Sequence, residues 1–146
     1  MLRGRAFRLA LPVFGIAIAL VAGCQDPPTR REVDTAEYGP YPENYEKLVR
    51  DHLRTRLTDP AGAIVEFRAG PGRLYQQDSV LRARQYGWGV CLFVNDRNKD
   101  GTFDGFHPIV YIINSDRIIA VNGGARDNII GWQFARDGCK KLGVSF

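Results

Sequence analysis

From Leu9 to Ala22 the chain carries no charged residue, and Arg3, Arg5 and Arg8 precede that run without an acid among them. A basic segment followed by a short apolar run is the layout of a secretory signal peptide. A helix that crosses the hydrocarbon core needs about 20 apolar residues. Leu9 to Gly23 offers 15 and includes Pro12. Residues 1–23 are therefore expected to be removed on export, so the fold has to be built from the remainder in an oxidising compartment.

The run closes on Val21-Ala22-Gly23-Cys24, which resembles the bacterial lipobox. A peptidase needs small side chains beside the scissile bond, and the cysteine thiol must be free to take a thioether-linked diacylglycerol with palmitate-type chains. Each buried methylene adds about 0.8 kcal/mol, so several acyl chains make a stable anchor where one is marginal. The resemblance implies lipidation at Cys24 and a membrane partner through that lipid. Enteric bacteria read an aspartate at the next position as retention in the inner membrane. Here Gln25 follows and the acid comes at Asp26, which favours the outer membrane.

Processing also changes the charge. The whole chain carries +4 with 20 Lys and Arg against 16 acids. Three arginines leave with the signal peptide and no acid does, so 17 bases face 16 acids and the mature part carries +1. A nucleic-acid binder shows a basic patch or stripe. The loose group Arg54, Arg56, Arg82 and Arg84 is what a solvated face carries, so a nucleic-acid partner is rejected. With Cys24 assigned to lipid, Cys91 and Cys139 allow a single pairing. A disulfide between them is expected in an exported protein.

Residues 24–40 are polar and proline-bearing, with Pro27 and Pro28 among them. That composition reads as a flexible tether. Residues 41–146 suit a single domain with one core. Pro42 opens a helical segment in which Tyr45, Leu48, Val49, Leu53 and Leu57 share a face, and Thr58-Asp59-Pro60 stops it. The period then changes to two. Ala63 to Arg68 reads as a strand ended by Gly70-Pro71-Gly72, followed by strands over 86–94, 108–113 and 117–121. Asp127 to Asp137 reads as a short helix before Gly138-Cys139. The expected fold is α+β: an N-terminal helix packed on a four-stranded antiparallel sheet, with a short C-terminal helix.

Asp96, Asn98, Asp100 and Asp104, with Gly101 between them, stand at the spacing of the first oxygen ligands of a calcium loop. The glutamate that should complete it is replaced by His107, and strands rather than helices flank it. Asp, Asn and Gly are also the residues of an ordinary hairpin connection, which is the favoured reading over calcium. His52 sits at the edge of the helical stripe and reads as a packing histidine. No Gly-x-Ser-x-Gly turn or phosphate-binding glycine loop is present in the sequence. Exposed aromatics near the 96–106 loop would suit partner binding, with Trp88, Phe103 and Phe106 as candidates.

Three stretches in order resemble a group of uncharacterised, proteobacterial-type lipoproteins and short exported proteins. They are Tyr41-Pro42-Glu43-Asn44-Tyr45, Leu57-Thr58-Asp59-Pro60-Ala61-Gly62-Ala63 and Trp88-Gly89-Val90-Cys91-Leu92-Phe93-Val94-Asn95-Asp96-Arg97-Asn98. Where the group tends to a Gly-, Phe- and Tyr-containing hairpin, this chain has Asp100 and Asp104. The resemblance implies a periplasm-facing, lipid-anchored domain and carries no catalytic residue with it. The leading expectation is a non-enzymatic envelope lipoprotein that binds an envelope protein or a glycan. The alternatives are a small metal-dependent hydrolase using Asp96, Asp100, Asp104 and His107, and an inhibitor domain that plugs an enzyme such as a lysozyme.

Overall fold

The computed structural model describes residues 26–77, 83–124 and 129–146. The expected signal peptide, Cys24, Gln25 and Arg82 lie outside the described residues. The elements are α1 (Arg30–Thr35), α2 (Tyr45–Arg54), β1 (Ile64–Gln76), β2 (Gln85–Asn95), β3 (His107–Asn114), β4 (Arg117–Gly123) and α3 (Ile129–Lys141). The four strands form one antiparallel sheet in the order β1-β2-β3-β4. The class is α+β.

Side-chain alternation divides the core in two. Val90, Leu92 and Val94 of β2 and Ile109, Tyr111 and Ile113 of β3 pack with Val49 and Leu53 of α2. The intervening positions, Cys91, Val110 and Ile112, pack with Leu74 and with Cys139 of α3. Successive strand residues point to opposite faces, so α2 and α3 cover opposite faces of the sheet. That explains why all of β3 but Asn114 is buried. Strands covered on both faces read as continuous apolar runs rather than alternating ones.

α2 ends at Arg54, short of Thr58-Asp59-Pro60. The Thr55 hydroxyl donates to the His52 carbonyl at 2.7 Å, and the Arg56 and Leu57 N–H groups donate to the Leu53 carbonyl. These bonds satisfy the last turn before proline can act. β1 does not end at Gly70-Pro71-Gly72 but continues to Gln76 through two register shifts against β2. Proline is tolerated on an edge strand, and β1 is one. Gly70 has φ +123°, and a Cβ there would lie 2.6 Å from the Gly89 carbonyl oxygen, so glycine permits the close crossing. α3 runs through Gly138 and Cys139 instead of stopping before them.

Residues 26–40 are not the unstructured tether that their composition suggests. Thr29 caps α1: its hydroxyl accepts from the Glu32 N–H at 3.2 Å, and the Glu32 carboxylate accepts from the Thr29 N–H at 2.7 Å. This reciprocal pair is a capping box. Tyr38 is buried, donates its hydroxyl proton to the Val33 carbonyl and packs on Tyr86 and Trp88. The ordered domain therefore reaches back past Tyr41. Composition averaged over the segment could not register one well-placed aromatic anchor.

Candidate functional site

A cavity of about 260 Å³ opens between the C-terminal end of α2, the 96–106 loop and the adjoining ends of β3 and β4. α2 supplies His52 on the same side as its apolar stripe, and Arg56 follows from the turn after it. Tyr111 rises from the middle of β3, while His107 stands at the first residue of that strand, opposite Val94. Leu53, Ile109 and Val121 form the apolar wall.

His52 Nδ1 lies 3.1 Å from the Tyr111 hydroxyl, and the rings meet edge to face at 5.4 Å. Burial pushes the Tyr111 phenol up to about 12, with the Arg56 charge opposing that shift. Burial also lowers the His52 pKa, helped by Arg56. At neutral pH the imidazole is therefore neutral and the phenol protonated. Sharing one hydrogen bond, they stand beside the apolar wall of Leu53, Ile109 and Val121.

This arrangement makes stability depend on pH. The unfolded chain takes up a proton on His52 near 6.5, whereas the folded chain resists it until lower pH. The unfolded state then binds more protons, so stability is full above about pH 6.5, falls as pH drops below it and levels once the folded state protonates too. Urea unfolding at about pH 7.5 and about pH 5.5 should show this fall, and His52→Gln should flatten it. An equal slope in the variant would assign the effect elsewhere.

Three of the four residues with calcium-loop spacing, Asp96, Asp100 and Asp104, accept hydrogen bonds from donors of the chain itself. Asp96 Oδ2 accepts from the Thr58 N–H at 2.6 Å, and Oδ1 accepts from the N–H groups of Asp59 (3.2 Å) and Arg97 (2.8 Å). Asp100 folds back on Thr102, accepting from its N–H and hydroxyl at 3.0 and 2.6 Å. Those bonds hold the Asp100 carboxyl below the usual carboxylate range. Asp104 accepts from the Asn98 side-chain amide at 2.6 Å. Among the described residues no three His, Cys, Asp or Glu side chains are grouped to hold a metal. The segment is a hairpin connection, bridged at Arg97 and Phe103 and turning at Gly101 with φ +85°. Asp96, Asn98, Asp104 and His107 do line the cavity, whereas Asp100 is spent at the loop tip.

The aromatic candidates separate. Phe103 and Phe106 are 43% and 42% exposed, and Arg97, which lines the cavity, lies over the Phe103 ring at 4.9 Å. Trp88 sits eight residues before Asp96 along β2, about 26 Å from the loop at strand rise. Its indole N–H donates to the Gly39 carbonyl at 3.0 Å, and Tyr41 packs edge-on against it. It clasps the N-terminal segment rather than facing a partner. Cys91 and Cys139 stand at disulfide distance, their Cα atoms 5.2 Å apart.

Sequence reasoning passed over Tyr111 and Arg56. Tyr111 is the one side chain with a polar tip between Pro108 and Ile113, and a buried tyrosine hydroxyl normally finds a partner, so a signal was present. Comparison with protein-family models, curated proteins and solved structures finds no match to this chain.

Proposed function

We propose that this chain is an exported envelope protein, anchored by lipid on Cys24, whose α+β domain is a non-enzymatic binding module. In this reading α2 is the N-terminal helix packed on the sheet and α3 the C-terminal one that closes its other face. Export is supported by the charge-free run that ends at Cys24 and by the pairing of the two remaining cysteines inside the core. Binding is supported by one observation above others: the cavity carrying His52, Arg56 and Tyr111 has the exposed rings of Phe103 and Phe106 on its loop. An aromatic rim beside a polar, partly desolvated recess suits an envelope protein or a glycan.

The test is cross-linking in living cells with a C-terminally tagged, lipidated chain, followed by mass spectrometry of what co-purifies. One abundant partner is expected, reduced at least about tenfold when Phe103 and Phe106 are both replaced by alanine, as for paired aromatic anchors. Recovery of the same partner by the double variant would remove the loop from the reading. Absence of any partner above an untagged control would overturn the binding module itself.

A further inference from the structure

The N-terminal segment is laid back on the end of the sheet that lies farthest from the cavity. Arg84, just before β2, donates from Nη2 to the Asp26 carbonyl oxygen at 2.6 Å, and its Nη1 lies 3.8 Å from Glu32. The Arg84 guanidinium is 5.8 Å from the centroid of the Tyr75 ring. Lys141 Nζ, from the last residue of α3, stands 4.2 Å from the same centroid and donates to the Tyr75 hydroxyl at 3.1 Å. Tyr75 continues to Tyr86 at 6.0 Å, Tyr86 to Tyr38 at 5.7 Å, and Arg73 lies over Tyr38 at 5.1 Å. Three cations and three tyrosines thus surround the place where the chain enters the domain, and Glu32 is bound on one of those cations.

Cys24 precedes Asp26 by two residues, so at most about 7 Å of chain separates them. Resting on the proposed lipidation, this brings the bilayer surface to that end of the sheet. We propose that the end bearing Arg73, Tyr75 and Lys141, with the Arg84 side chain held inward at 15% exposure, rests on the headgroups of an anionic phospholipid bilayer. Tyrosine suits that depth, with an apolar ring and a polar tip, and Arg and Lys are drawn to anionic headgroups while their stems cover apolar surface. β2 runs away from this surface for about 34 Å at strand rise. It carries the cavity, Phe103 and Phe106 out toward the aqueous side, where a soluble or opposed partner can reach them.

The full-length protein, purified from membranes, is placed in phosphatidylcholine vesicles containing about a quarter phosphatidylglycerol, and separately in neutral detergent micelles. A water-soluble acylating reagent then labels lysines, read by mass spectrometry as the ratio of Lys141 to Lys99, which lies on the far loop. That ratio should fall at least about fivefold in the anionic vesicles and recover in part when phosphatidylcholine is used alone. An unchanged ratio, or stronger protection of Lys99, overturns the facing. The intact mass of the same sample reports lipid on Cys24. With lipid present, an unchanged ratio rejects the facing alone and leaves the anchored binding module standing. With lipid absent, the anchor falls, and pelleting of that chain with anionic but not neutral vesicles would still uphold the face. Failure to pellet with either would reject both.

Discussion

Replacing Cys91 and Cys139 together by alanine should lower the unfolding free energy by about 4 kcal/mol, the chain-entropy value for a closed loop of this length. The loop spans 48 residues, and both cysteines are fully buried. In a domain of this size the midpoint of thermal unfolding should fall by about 15–20 °C. The effect should be large because of what the bridge joins. β2 is a central strand, and α3 covers the sheet face that carries Val110 and Ile112. Without the crosslink, α3 is held by its apolar contacts and the exposed Lys141–Tyr75 contact, and its outward Ile130 and Phe134 (69% and 50% exposed) add little burial. Adding reductant to the unaltered protein should reproduce the variant's midpoint. If melts in oxidised and reduced buffer superimpose, the pair contributes nothing to folding, and the oxidising-compartment part of the functional reading loses its structural support.

The elements that could be read from the sequence are those in which local chemistry and long-range packing agree. α2 shows its apolar stripe because only Val49 and Leu53 are buried while Arg50, Asp51 and Arg54 stay wet. β2 shows its two faces because Gly87 and Gly89 alternate with large side chains. Several of the misreadings share a physical cause: each depended on a partner far along the chain. Gly70-Pro71-Gly72 looks like a strand end on its own, and becomes mid-strand only because β2 lies alongside to pair with it. Residues 29–38 look like a tether until Tyr86 and Trp88 provide a surface for Tyr38. Helices on opposite faces were concealed by β3, whose unbroken apolar run fits a buried strand of any topology. Of the site, the loop was visible as a motif and its chemistry was not. Ligand spacing says which oxygens are near in sequence, not which donors already occupy them.

Asp96 is where that distinction has the largest measurable consequence. Asp96→Ala should destabilise the fold by about 2–3 kcal/mol, in the range for lost hydrogen bonds to a charged group. Its carboxylate gathers the N–H groups of Thr58, Asp59 and Arg97. Two of those belong to the turn that leads from α2 into β1, and the third begins the 96–106 loop. One side chain thereby ties the floor of the cavity to its rim, and partial exposure keeps the cost below that of a wholly buried cluster. Asp96→Asn keeps an acceptor but loses the charge and one of two oxygens, so it should fall between the wild type and the alanine variant. Asp100→Ala and Asp104→Ala should change urea midpoints little, because their partners lie within the exposed loop and can turn to water. A calcium site would give a different pattern. All of these substitutions would then abolish a calcium-dependent rise in the wild-type midpoint, as expected when a ligand binds only the folded state. In calcium-free buffer the ranking should be Asp96 alone among the acids. A wild-type midpoint that climbs with added calcium, together with a harmless Asp96→Ala in its absence, would return the loop to ion binding and remove Asp96 as the clamp of the cavity.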